Sequence, residues 1–180
     1  QTSGMCMKLS MSLVGSVMLF VAGCSVGAAD RPEMELVGKP APDFKLALLA
    51  GGEVELSALK GENIVLLDFW ATWCGPCRAV MPALQELSKE YKDKGVRYLA
   101  VNLREDADKI TAYLKSAKLD IEVPLDKDGG IAKLYKVRGI PTMAVVDKDG
   151  VVRHVHVGSS PTIKEDLKKV IDQLIAQKTS

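Results

Sequence analysis

No excess of charge of either sign marks this chain: its 180 residues carry 24 Lys and Arg against 23 Asp and Glu, a formal net charge of +1. That balance removes the broad positive footprint that nucleic-acid binding requires, so no nucleic-acid partner is expected. Histidine is scarce, with 2 residues, and a zinc centre built from about four Cys or His ligands would be hard to assemble. Proline is also sparse at 8 residues, while 47% of the chain is hydrophobic and 26% charged, which excludes a disordered polymer. At roughly 100 to 200 residues per domain, the length fits one compact domain with an appendage. There is no internal repeat and no low-complexity tract.

The charge is unevenly placed. Before Asp30 the only charged residue is Lys8, and residues 9–29, LSMSLVGSVMLFVAGCSVGAA, carry none. A basic start, an apolar centre and small residues at the end form the layout of a secretory signal. Val21-Ala22-Gly23-Cys24 resembles the bacterial lipobox, which implies a lipidated Cys24 that anchors the protein on the extracytoplasmic, periplasmic side of a membrane. Two other readings stay open. Gly27 and Ala29 have the spacing of an ordinary cleavage site that would release a soluble protein, and an uncleaved stretch of this length would reach about 30 Å, enough to span a bilayer. Gln1 to Gly4 precede the first methionine and are left out of the fold reasoning. The expected layout is thus a signal segment to Cys24, a polar tether over 25–39 and a domain over 40–180.

From residue 40 onward the hydrophobic pattern alternates between strand and helix. Phe44 to Leu48 and Glu53 to Leu56 flank Ala50-Gly51-Gly52 as a β-hairpin, after which Ser57 is expected to cap a turn ending at Gly61. Ile64 to Trp70 is almost wholly apolar, as in a strand buried on both faces. Val80, Ala83, Leu84, Leu87 and Tyr91 predict a helix over Pro76 to Lys94, stopped by Gly95 and kinked at Pro82. Arg97 to Leu103 reads as a strand, and Asp106 as the cap of a helix bearing Ile110, Tyr113 and Leu114. A short helix near Ile131 to Tyr135 follows, then strands Thr142 to Val146 and Val151 to Val157 joined by a turn. A last helix reaches Gln177, with Thr162 and Glu165 at capping-box spacing and Ile163, Leu167, Val170, Ile171, Leu174 and Ile175 as its buried stripe. This order predicts an α/β fold with a mixed central sheet, helices on both faces and an N-terminal hairpin.

The chemistry concentrates in two cysteines. Besides Cys6 and Cys24 in the leader, the chain has Cys74 and Cys77. A bridge between residues so close closes a tiny loop and stabilises little, so a structural role is a poor account of the pair. His154 and His156 alternate on a predicted strand and share a face, which leaves an incomplete metal site and fits an exposed strand better. Redox catalysis uses each residue. Strand 64–70 feeds a helix whose positive end stabilises a thiolate on Cys74, Cys77 lies one turn along to resolve a mixed disulfide, and Gly75-Pro76 sets the turn. Arg78 adds positive charge nearby.

These residues carry a resemblance. Phe69-Trp70-Ala71-Thr72-Trp73-Cys74-Gly75-Pro76-Cys77-Arg78 is similar to the thioredoxin active-site segment, and Arg138-Gly139-Ile140-Pro141-Thr142 to the thioredoxin cis-proline loop. Gly38 to Phe44, the hairpin and the secretion signal resemble the membrane-associated TlpA/ResA-type branch. The resemblance implies a thioredoxin-like fold over roughly 40–178 and an extracytoplasmic thiol-disulfide oxidoreductase working through Cys74 and Cys77. It further implies a cis Pro141, substrate pairing at Ile140, Trp73 flanking the reactive sulfur, and Asp68 as a buried acid that takes the proton of Cys77. Where ResA-type proteins of cytochrome c maturation carry a glutamate, this chain has Val80, and no lysine stands in the strand Arg97 to Leu103 to partner Asp68.

No cofactor is expected beyond the redox-active disulfide itself, and no metal. Implied partners are disulfide-containing client proteins, apocytochrome c being one candidate, and a transmembrane thiol donor of DsbD/CcdA type; a monomer is expected. Within the same fold, an oxidase or isomerase would run the chemistry the other way, and a copper-delivery module would use Cys74, Cys77 and a histidine. A peroxidase is disfavoured because Leu67 and Ala71 occupy the positions its proline and hydroxyl residue would need.

Overall fold

The computed structural model describes residues 32–177, so the leader, its cleavage alternatives and Cys24 lie outside the described residues. In chain order the described elements are β1 (Lys45–Ala47), β2 (Glu53–Glu55), β3 (Ile64–Trp70), α1 (Gly75–Tyr91), β4 (Val96–Leu103), α2 (Ala107–Ala117), β5 (Leu125–Asp126), α3 (Gly130–Leu134), β6 (Thr142–Val146), β7 (Val152–Val157) and α4 (Ile163–Ala176). Short 3₁₀ turns cover Pro32–Leu36, Ser57–Leu59 and Lys92–Lys94.

Strand β3 is buried along its whole length and sits at the centre of a five-stranded sheet ordered β5-β4-β3-β6-β7. Its apolar run has no polar face to offer water, so both faces must be covered. Ile64, Leu66 and Trp70 pack with Val80, Met81, Leu84 and Leu87 of α1, Ile110 of α2 and Leu167 of α4. Val65, Leu67 and Phe69 point the other way, toward the N-terminal hairpin, Ala132 of α3 and Tyr135. β4 runs parallel to β3, β6 antiparallel, and this mixed pairing brings the end of β3 beside the start of β6.

The hairpin β1-β2 stands outside the main sheet. Its latch is an aromatic chain: the Phe44 ring lies edge-on to Tyr135 at 6.5 Å, and Tyr135 lies tilted against Phe69 at 5.2 Å while its hydroxyl donates to the Pro42 carbonyl at 2.9 Å. The domain also begins earlier than residue 40. Leu36 is buried, Gly38 N–H donates to the Val152 carbonyl and Val152 N–H to the Lys39 carbonyl, so residues read as the end of a tether instead cover the outer edge of β7.

Several local expectations need correction. The three anticipated side-chain caps are not made: Ser57 lies inside its turn, Asp106 occupies the cap position of α2 without accepting a bond, and the Thr162 hydroxyl donates to Asp166 instead of forming a box with Glu165. Ile175 is exposed, because the stripe of α4 that faces the sheet ends at Ile171 and Leu174. His154 is half-buried, not exposed, since it stands opposite Val145 of β6 on the sheet face that α4 covers. Strand β5 escaped notice because two residues are too few to show a period of two.

If the aromatic latch joins hairpin to sheet, Phe44→Ala should cost about 3 kcal/mol in a denaturant titration, whereas Trp73→Ala, at a side chain 68% exposed, should stay within about 0.5 kcal/mol. Equal losses would contradict this packing.

Candidate active site

The site forms where β3 ends. After Trp70 the chain turns through Ala71 to Trp73 and enters α1, with Cys74 in extended conformation at the N-cap and Pro76 in the first turn. Pro76 is tolerated there because the first helical N–H groups have no partner to lose. The Cys77 N–H donates to the Cys74 sulfur at 3.2 Å, and no acidic residue occupies the first turn of α1. A thiolate on Cys74 therefore meets a free N–H and the positive end of a seventeen-residue helix. The two sulfurs are joined as a disulfide. Cys77 is fully buried and Cys74 only 4% exposed, so Cys74 is less open than its expected role suggests.

The covering group comes from β6. Antiparallel register sets Thr142 opposite Phe69, which carries the preceding Ile140-Pro141, joined by a cis peptide bond, to the end of β3. The Ile140 carbonyl oxygen lies 3.6 Å from the Cys74 sulfur. Two segments far apart in sequence thus meet at one sulfur. Trp73, Gly75 and Pro76 are exposed around it.

Beneath the helix lies an acid. Asp68 alternates with Leu66 and Trp70 on the α1 face of β3 and is completely buried. One carboxylate oxygen accepts from the Tyr98 hydroxyl at 3.0 Å; the other has no partner among the described residues. Burial pushes its pKa up to about 7, and the Tyr98 hydrogen bond holds back part of that rise. Burial likewise pushes the Tyr98 hydroxyl well above its usual range, so it stays a neutral donor. Tyr98 was not singled out in the sequence. No local signal marks it, because its place beside Asp68 depends on the register in which β4 pairs with β3, Ala100 opposite Asp68 and Tyr98 opposite Leu66.

A second unforeseen residue is Glu105. Its side chain is 4% exposed, and its oxygens accept from the Thr72 N–H and hydroxyl, both at 2.6 Å, and from Asn102 at 3.0 Å, with Lys109 at 2.7 Å. Burial raises its pKa, but Lys109, Thr72 and Asn102 outweigh that and hold it at about 2. A permanent carboxylate thus clamps the loop two residues before Cys74. Nothing in the local sequence announces it, because Arg104 before it adopts a positive φ that reorients the chain.

Cys74, Cys77, Asp68, Trp73, Gly75, Pro76, Ile140 and Pro141 therefore gather at one end of the sheet. Arg78 lies over the Tyr113 ring at 5.8 Å. His154 and His156 sit on β7, and among the described residues no group of three or more His, Cys, Asp or Glu side chains is arranged to hold a metal ion.

Comparison with known proteins agrees with this geometry. The family model described as Redoxin matches residues 36–171. The chain is 35% identical to the thiol-disulfide oxidoreductase ResA of Bacillus cereus over 172 residues, covering 91% of this chain and 99% of that one. It is 40% identical to the thioredoxin-like protein YneN of Bacillus subtilis, covering 75% and 78%. A solved structure from Chlorobium tepidum, provisionally assigned as thiol:disulfide interchange protein DsbE, is similar with 37% identity and a TM-score of 0.73, covering 78% of this chain and 98% of that one.

The raised pKa of Asp68 makes a signed prediction. Folding favours its neutral form, so that contribution is complete below about pH 4 and is lost as pH rises through about 7. Asp68→Asn should match the parent near pH 4 and be more stable by on the order of 3 kcal/mol at pH 8 in denaturant titrations. Tyr98→Phe should move the midpoint of that pH dependence upward. An Asp68→Asn gain equal at both pH values would contradict a titrating buried acid.

Proposed function

The chain belongs to the redoxin family and is a thiol-disulfide oxidoreductase, and from that premise we propose that it is a reductase of protein disulfides outside the cytoplasm, anchored to a membrane by a lipid on Cys24. The observation that carries the reading is the combination at the head of α1: a nearly buried cysteine at the helix cap, a fully buried partner one turn on, and a buried acid on the same face of the sheet.

The reaction follows from these positions. With the pair reduced, the Cys74 thiolate attacks one sulfur of a client disulfide, forming a Cys74–client bond and expelling the other client sulfur as a thiolate. Cys77 then loses its proton, for which Asp68, with a pKa of about 7 and one oxygen without a partner among the described residues, is the acceptor. The Cys77 thiolate attacks the Cys74 sulfur, the Cys74–Cys77 disulfide closes, and the second client sulfur leaves. Two electrons pass to the client, and the client thiolates take up two protons. A membrane thiol donor of DsbD/CcdA type returns the pair to the dithiol in the same two steps reversed. No cofactor enters.

Gly75-Pro76 and Asp68 support the reducing direction and a broad client range. Val80 packs in the core where a polar ResA-type glutamate would stand, so apocytochrome c is one client among others.

Cys77→Ser should accumulate mixed disulfides with envelope proteins that collapse on adding dithiothreitol, whereas Cys74→Ser should form none and lose at least about a hundredfold of disulfide-reducing activity. Trapping through Cys77 instead would reverse the assigned roles. Cys24→Ala should move the protein from the membrane to the soluble fraction; unchanged membrane retention would contradict the lipid anchor.

A further inference from the structure

An open groove of about 1070 Å³ runs away from the disulfide. Its near end is formed by Trp73 and Ile140, the residues that flank Cys74, and Leu103 and Val137 give it an apolar lining. The charged residues along it are Arg104, Lys133, Lys136 and Arg138, and among the described residues no carboxylate lines it. In a chain with almost equal numbers of acidic and basic residues, this local excess is not a by-product of composition.

The four cations are not equally engaged. Lys136 pairs with the exposed Glu35 at 2.6 Å, and Arg104 donates to the Asp128 carbonyl at 3.1 Å. Gly129, at φ +78°, leaves room for the Arg104 guanidinium, on which a Cβ there would clash. Lys133 and Arg138 are exposed and have no ion-pair partner among the described residues. At the near end, the Ile140 N–H donates to no backbone carbonyl among the described residues. The groove thus combines an open backbone edge beside the reactive sulfur, an apolar lining, and positive charge further along.

We propose that this groove selects the client by charge: an extended segment paired at Ile140, as the thioredoxin resemblance already implies, places carboxylates against Lys133 and Arg138. The inference rests on the reductase reading and adds the substrate class. An extended chain meets the free backbone edge by β-augmentation, an apolar residue next to its cysteine covers Leu103 and Val137, and the acidic stretch supplies the charge that the groove lacks. Long-range attraction of this kind acts mainly on encounter and is screened by salt.

The test uses two synthetic peptides that share one disulfide and differ only in flanking residues, Glu in one and Lys in the other. Both are reduced by the dithiol form of the full chain, and kcat/KM is measured for each. The acidic peptide should be reduced about tenfold faster at low ionic strength, the ratio should approach one in about 0.5 M salt, and Lys133→Glu with Arg138→Glu should invert it. Using the ratio removes any general loss of activity or folding in the variant. Equal rates on both peptides, or a preference for the basic one, would overturn the docking proposal while leaving the reductase intact. Reduction of neither peptide would contradict the redox reading and this inference with it.

Discussion

Burial of one strand on both faces is the constraint on which the rest depends. Because β3 presents apolar side chains above and below, the chain must supply a helical layer on one face and the hairpin, α3 and Tyr135 on the other. The same burial leaves nowhere for its one acid to meet water. Asp68 is kept because it is held by a single neutral donor, and its ionisation is displaced into the range where thiols exchange protons.

From that strand the chemistry is a matter of geometry. The C-terminal end of β3 launches α1, so Cys74 falls at a helix N-terminus without further design. The antiparallel partner β6 must start where β3 ends, so the loop before it lies over the same sulfur. The parallel partner β4 ends beside them, and Glu105 just beyond it fastens the loop at Thr72. Three strand ends from distant parts of the chain thus converge, which is why a site built from few residues can be held so firmly. The cationic groove continues from this point and gives the reactive sulfur a neighbourhood that can discriminate among partners.

Much of this was legible in the residues. The runs from Ile64 to Trp70 and Thr142 to Val146 announce themselves by unbroken apolar character and the stripe of α1 by period, and the cysteine pair with Gly75-Pro76 and Ile140-Pro141 announces the chemistry. What escaped was set by tertiary packing. Tyr98 takes its role only because β4 lies next to β3 in a particular register, and Glu105 only because Arg104 turns the chain back toward Thr72. The helix caps failed for the opposite reason: Ser57, Asp106 and Thr162 have suitable side chains, but caps are weak local preferences. Ser57 and Thr162 bond to carboxylates nearby instead. The segment before residue 40 read as a tether because its polar composition hides Leu36, the apolar side chain of that segment that is buried in the domain core.

The central claim is that the reduced Cys74/Cys77 pair acts as a reductant of client disulfides. The direct measurement is an equilibrium titration of the Cys74/Cys77 couple in the full chain against dithiothreitol or glutathione buffers of defined ratio. The account predicts a potential close to the thioredoxin value of about −270 mV, and a value near about −120 mV, that of a strong oxidant, would contradict it.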